Sequence, residues 1–120
     1  MGAATYNFEI KQGSTFNRTL TFKQSSGVAM DLTGYGIRGQ MRRYPNSTVI
    51  IVSFTLAIVA PPTLGQVSWS LTSVQTAAIK AGNYYYDIEL YLVGTPEIVD
   101  RCIEGTVIVS GEVTRWVIIQ

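Results

Sequence analysis

Apolar and polar side chains alternate along most of this chain, and a period of two is the pattern of half-buried β-strands. The clearest example covers residues 84–92, which are followed by a turn signal at Gly94-Thr95-Pro96. A second strand pattern then continues to Val109. Two strand patterns joined by so short a turn predict an antiparallel hairpin at the centre of a small β-protein.

Five earlier segments also have strand patterns. Residues 48–58 are mostly β-branched or apolar, which predicts one strand covered on both faces. Pro61-Pro62 must end that strand, because proline has no N–H to donate to a neighbouring strand. The other four segments show apolar residues alternating with polar or small ones, at positions 6–10, 15–22, 35–41 and 66–71.

One short helix is predicted between residues 72 and 81. Thr72 and Gln75 have the spacing of a capping box, and Gly82 provides a stop after several alanines. A helix this short is expected to connect two strands. The fold class predicted by these elements is all-β, an immunoglobulin-like antiparallel β-sandwich with one short connecting helix.

The chain length of 120 residues predicts one hydrophobic core, which we assign to a β-sandwich domain of residues 1–112. Residues 113–120 are apolar enough to need a cover, and two interpretations remain open. They form the last strand of the sandwich, or they form an arm that adds to a neighbouring subunit and buries Trp116 and Ile118 there.

Composition narrows the classes of partner. Charged residues make up 14% of the chain, against about 25% in an average soluble domain, so its surface is expected to contact other proteins. A net charge of +1 provides no basic stripe for nucleic acid. The longest apolar run, residues 49–60, is shorter than the roughly 20 residues of a membrane helix, and no signal-peptide pattern precedes residue 6. The single cysteine suits assembly in reducing cytoplasm.

Candidate catalytic groups are few. The chain has no histidine, so the commonest proton-transfer residue and most catalytic triads are missing. Cys102 beside Arg101 has a reactive-thiol interpretation, but a lone cysteine in a strand is usually packed in the core. Asp87 and Glu89 have the spacing of a carboxylate pair, which solvent-facing strand residues also have. We therefore predict a protein that is not an enzyme, with no catalytic, cofactor or metal site.

Tyrosines and arginines are the remaining candidates for recognition. Tyr84 and Tyr86 must point away from Tyr85 and Tyr91, so about half of this set is expected in the core and no continuous stacking platform need form. Aromatic faces on the other half have a carbohydrate-stacking interpretation. Three interpretations remain open for Arg38, Arg42 and Arg43. They bind an anionic patch, they lie solvated on an outer face, or they pair with glutamates across a subunit interface. The residues predicted for a partner interface are Arg38, Arg42, Arg43, Tyr85, Tyr91, Trp116 and Ile118.

Four segments occur in an order that resembles a known family. They are Ile10-Lys11-Gln12-Gly13-Ser14-Thr15-Phe16, Asp31-Leu32-Thr33-Gly34-Tyr35-Gly36-Ile37-Arg38-Gly39-Gln40-Met41-Arg42, Leu71-Thr72-Ser73-Val74-Gln75-Thr76-Ala77-Ala78-Ile79 and Gly82-Asn83-Tyr84-Tyr85-Tyr86-Asp87-Ile88-Glu89-Leu90. Together they resemble small structural proteins of tailed phages, similar to the N-terminal module of the baseplate upper protein that carries receptor-binding proteins. The resemblance covers roughly residues 6–115.

The resemblance implies an immunoglobulin-like sandwich with an architectural role and transfers no catalytic residue. The expected function is a non-enzymatic virion protein, assembled in the host cytoplasm, that acts as a tail or baseplate adaptor for receptor-binding fibres. Its expected partners are other phage structural proteins and further copies of itself. One alternative is a capsid decoration, or cement, protein bound in many copies and often as trimers. Another is a carbohydrate-binding host-recognition module that uses Tyr85 or Tyr91.

Overall fold

The computed structural model describes residues 4–113. Within that range the chain forms nine strands, a 3-10 turn at Pro62–Leu64 and one short helix, α1, at Ser73–Ala77. The strands are β1 Ala4–Thr5, β2 Phe8–Lys11, β3 Phe16–Thr21, β4 Tyr35–Arg42, β5 Val52–Ser53, β6 Thr55–Ile58, β7 Gln66–Leu71, β8 Gly82–Leu92 and β9 Thr95–Ser110.

These strands form two sheets with a shared core, which confirms the all-β sandwich. The larger sheet has six strands, in the order β1-β9-β8-β4-β5, with β2 also paired to β9 beyond the end of β1. The smaller sheet has the order β3-β7-β6. The predicted central hairpin is β8 and β9, and it pairs antiparallel along most of its length. Every pairing among β3 to β9 is antiparallel.

The first two strands differ from the antiparallel expectation. Both β1 and β2 lie parallel to β9, with Ala4 opposite Ile103 and Phe8 opposite Val107. Alternation of side chains specifies which face of a strand is buried but not the direction of the strand. The sequence pattern therefore could not predict that β1 and β2 run parallel to β9. The turn at Gln12-Gly13, between β2 and β3, leads the chain from the larger sheet into the smaller one.

The prediction of one doubly covered strand at residues 48–58 was wrong. Val49 and Ile50 lie in a loop and are 63% and 44% exposed. The following residues form two short strands, β5 in the larger sheet and β6 in the smaller one. The chain changes sheets at Phe54, whose N–H donates to the Gly39 carbonyl at 3.0 Å. The apolar segment at residues 52–58 therefore crosses from the larger sheet to the smaller one.

The short helix begins as predicted. The Gln75 N–H donates to Thr72 Oγ1 at 3.1 Å, and the Thr72 N–H donates to Gln75 Oε1 at 2.9 Å, which completes the capping box. The helix ends earlier than residue 81, with its last turn closed at Ala78. Buried Thr76 donates through Oγ1 to the Ser14 carbonyl at 2.8 Å. Helix α1 thus connects β7 in one sheet to β8 in the other.

Trp69 of β7 lies at the centre of an aromatic core. Its side chain is fully buried, and its Nε1 has no hydrogen-bond partner among the described residues. Strand β8 contributes Tyr86 from the opposite sheet, and the exposures of 4% for Tyr84 and 5% for Tyr86 confirm the predicted alternation. The rings within 6.3 Å of Trp69, measured between ring centroids, belong to Tyr6, Phe8, Phe16, Phe54 and Tyr86.

Candidate functional site

The polar side chains of the larger sheet lie together on its outer face, because the alternate residues of β8 point into the core. Strand register places them in cross-strand rows, with Gln40 and Glu104 on either side of Asp87. The two neighbouring rows are Arg42, Tyr85 and Thr106 on one side and Arg38, Glu89 and Arg101 on the other. The side chains of this outer face are Arg38, Gln40, Arg42, Tyr85, Asp87, Glu89, Tyr91, Arg101, Glu104 and Thr106.

Ion pairs within the chain engage two arginines of the outer face. Arg38 Nε lies 3.1 Å from Glu89 Oε1. Arg101 contacts Asp87 and Glu104, each at 3.3 Å. Pairs this exposed stabilise the fold by about 0–1 kcal/mol each. Their main effect is to orient the side chains, and the glutamate that Arg38 contacts belongs to its own chain.

Asp87 occupies the most crowded electrostatic position on this face. Burial raises the pKa of its carboxyl above the ordinary value, and the negative charge of Glu89 adds to the increase. Arg101 and, less strongly, Arg42 oppose that shift. Asp87 and Glu89 share a face, as their spacing predicts, and each carboxylate is paired with an arginine. This arrangement is an ion-pair network that offers acceptors and donors in fixed positions.

The two outward-facing tyrosines of β8 differ in access. The ring of Tyr91 packs on Gly36, its cross-strand neighbour, where a Cβ would collide with it. The guanidinium of Arg38 covers the ring at 4.8 Å from its centroid. Tyr85 is 42% exposed. Of the two stacking candidates named from the sequence, Tyr85 is therefore the one with an open ring.

Tyr85 lines a groove of about 410 Å³ on the outer face. The groove crosses β4, β8 and β9, and it is bordered by the amino-terminal segment on one side and by Pro45, in the loop after β4, on another. We call it the Tyr85 groove. The polar residues that line it are Thr5, Asn7, Gln40, Arg42, Asp87, Arg101, Glu104 and Thr106.

The amino-terminal side of the groove is formed where the chain leaves β1 and has not yet entered β2, at residues 6–7. Asn7 Oδ1 accepts hydrogen bonds from the Thr106 N–H at 2.9 Å and the Thr106 hydroxyl at 3.1 Å. Gly105 lets the Tyr6 carbonyl approach closely, because a Cβ there would collide with it. Asn7, Gln40 and Thr106 were not predicted as site residues from the sequence. Gln40 could have been found, since it alternates with Arg38 and Arg42, but nothing in the sequence links Asn7 to Thr106.

The three arginines predicted for an interface are not one patch. Arg42 donates to the Ser47 carbonyl at 2.7 Å and to Gln40 Oε1 at 2.9 Å, which places it in the Tyr85 groove. Arg43 donates to the Asn83 carbonyl at 2.6 Å, and its guanidinium lies 5.3 Å from the Tyr84 ring centroid. Arg38 lies over Tyr91. Of the remaining predicted residues, Trp116 and Ile118 lie outside the described range of 4–113.

Cys102 is a core residue. Its thiol is 3% exposed and donates to the Ile88 carbonyl at 3.2 Å. Burial raises the pKa of the Cys102 thiol to about 11, so the thiol is protonated at neutral pH. Packing, rather than the reactive-thiol interpretation, describes this residue.

Two comparisons with known proteins found no match. No family model matches the chain, and no curated protein matches it at the significance threshold. Across residues 4–113, no helix is long and apolar enough to cross a membrane. Over the same range, no group of three or more Cys, Asp or Glu side chains is arranged to hold a metal ion.

Proposed function

We propose that this chain is a non-enzymatic structural protein of a tailed-phage virion, an adaptor in the tail or baseplate that attaches receptor-binding fibres through subunit contacts. The observation that carries the proposal is the ordered series of segments resembling the N-terminal module of baseplate upper proteins. The resemblance implies an immunoglobulin-like sandwich, and this chain forms an all-β sandwich of two sheets.

The resembling segments support the proposal because their residues have structural roles that a shared fold requires. Asp31 Oδ1 accepts hydrogen bonds from the Thr33 N–H at 3.0 Å and the Thr33 hydroxyl at 2.6 Å, and these bonds hold the Asp31 pKa below its ordinary value. Gly34 follows with φ of +82°, and Leu32 is buried. The segment thus forms the turn that leads the chain into β4.

The end of the β8–β9 hairpin around residues 93–99, which we call the hairpin tip, is the surface that best suits subunit contacts. Strand β1 begins to pair with β9 only at Ile103, so the hairpin tip has no neighbouring strand on its β9 side within residues 4–113. Three apolar side chains are exposed there: Val93 at 60%, Ile98 at 53% and Val99 at 36%. Exposed apolar side chains close together are typical of protein contact sites.

The β3 edge of the smaller sheet is protected against strand addition. Arg18 lies opposite Trp69 in register, a position whose side chain belongs to the inner face. Its guanidinium lies 4.8 Å from the Phe16 ring centroid. An inward-pointing charge on an edge strand opposes pairing with another chain. We therefore assign partner contacts to the hairpin tip rather than to β3.

Immunogold labelling of purified phage particles tests the proposal. Antibody raised against the folded chain is expected to label the tail end, because an adaptor connects the baseplate to its fibres. Label distributed over the capsid would contradict the adaptor proposal and favour the alternative, a capsid decoration protein. Absence of label from particles that are labelled by a control antibody against the major capsid protein would contradict both.

A further inference from the structure

We propose that the Tyr85 groove binds a neutral saccharide, with the Tyr85 ring as the stacking surface. The groove volume of about 410 Å³ lies in the range of small-molecule sites, about 300–1,000 Å³. This site goes beyond the architectural role, and neither proposal depends on the other.

The stacking surface is specific to one tyrosine. A pyranose ring presents a face of C–H groups that packs on an aromatic ring. Tyr85 offers such a ring at 42% exposure, whereas Tyr84 and Tyr86 are in the core. The Tyr91 ring has Gly36 on one face and Arg38 over it. Tyr85 is therefore the only tyrosine of β8 that combines an accessible ring with a concave surface.

The polar lining matches what sugar hydroxyls require. Each hydroxyl both donates and accepts, so a site needs acceptors and donors side by side. Asp87 and Glu104 supply carboxylate acceptors, and Arg101 supplies guanidinium donors between them. On the β4 side, Gln40 is held by Arg42 at 2.9 Å. These side chains are fixed by one another, which reduces the entropy lost when a ligand binds.

The same contacts argue against other ligands. The residues within 4–113 that line the groove include two arginines and two carboxylates, so their formal charge is zero. A phosphate in the groove would also meet the carboxylates of Asp87 and Glu104, both of which contact Arg101, and their negative charge opposes anion binding. An extended peptide adds to the edge of a sheet, whereas this groove lies across a face. A neutral ligand with many hydroxyls fits these constraints.

Titration of the ¹⁵N-labelled full chain, followed by amide chemical shifts, tests the proposal. The probes are the methyl glycosides of glucose, galactose and N-acetylglucosamine and, separately, inorganic phosphate, with sorbitol as a hydroxyl-rich control that has no ring face. We expect saturable shifts with at least one glycoside, confined to the groove and centred on residues 85–87 and 104–106. Sorbitol is expected to produce none.

Matched variants connect binding to the ring. Tyr85→Ala is expected to weaken glycoside binding by about fivefold or more, since stacking on an aromatic ring contributes on the order of 1–3 kcal/mol. Tyr91→Ala is expected to leave the affinity unchanged, with retained amide dispersion as the check of folding. No saturable shift with any glycoside overturns the proposal, as does binding that survives Tyr85→Ala. Shifts produced only by inorganic phosphate would reassign the groove to anions.

Discussion

Replacing Trp69 is expected to cause the largest loss of stability of any single core change in this fold. The indole is fully buried between the sheets and is surrounded by five aromatic rings. Burying about 150–250 Å² of aromatic side chain at about 25 cal/mol per Å² stabilises the fold by roughly 4–6 kcal/mol. Trp69→Ala is expected to lose about 3–5 kcal/mol, the range measured for such truncations. That loss is a large share of the roughly 5–15 kcal/mol typical of a whole domain.

Trp69→Phe is expected to be much less costly, for a reason specific to this site. The indole Nε1 has no hydrogen-bond partner among residues 4–113, and an unpaired buried N–H costs about 1–3 kcal/mol. Phenylalanine removes that group while it keeps a six-membered ring in contact with the surrounding aromatic side chains. The gain offsets most of the smaller cavity term, so we expect a net loss below about 1.5 kcal/mol.

Urea denaturation followed by far-ultraviolet circular dichroism measures both losses on the same scale. Val74→Ala is the matched control, because Val74 is 77% exposed on α1 and should change the unfolding free energy by less than about 0.5 kcal/mol. A central role of Trp69 in the core is contradicted if Trp69→Ala loses less than about 1 kcal/mol, and the cost of the unpaired Nε1 is contradicted if Trp69→Phe loses as much as Trp69→Ala.

Three further results are expected. Thr72→Ala removes the capping box and should lower the unfolding free energy by about 1 kcal/mol in urea, whereas Thr72→Ser should retain most of it; equal losses would contradict the cap. Gly36→Ala places a Cβ against the Tyr91 ring and should cost about 1–3 kcal/mol, and the double variant with Tyr91→Ala should recover part of that loss; strict additivity would show that the contact is unimportant. The pKa of the Cys102 thiol rises from 9.0 in the unfolded chain to about 11 in the folded one, so its contribution to stability is complete below pH 9 and is lost as the pH rises through 11. Cys102→Ala should therefore reduce the fall of the unfolding free energy between pH 9 and 11. An unchanged fall would contradict the raised pKa of Cys102.

The parts of the fold that depend on local signals were predictable from the sequence. Alternation separated Tyr84 and Tyr86 from Tyr85, because a strand has only two faces. The capping box at Thr72 was readable, because its two hydrogen bonds span three residues. In these places the side chains and the backbone they stabilise are neighbours in the chain.

The parts that depend on distant contacts were not predictable. The crossing of residues 48–58 between sheets is set by which backbone Phe54 meets, namely Gly39. The direction of β1 and β2 is set by the free edge of β9, which apolar spacing does not encode. The Tyr85 groove joins Asn7, Gln40 and Thr106 across three segments. Its existence follows from the register of the larger sheet rather than from any motif.

The adaptor proposal is best tested by the copy number of this chain per purified phage particle, from quantitative mass spectrometry against the major capsid protein. An adaptor between baseplate and fibres is predicted to be present in a few up to a few tens of copies. A count in the hundreds would contradict the adaptor and favour capsid decoration, and absence of the chain from intact particles would contradict a virion role altogether.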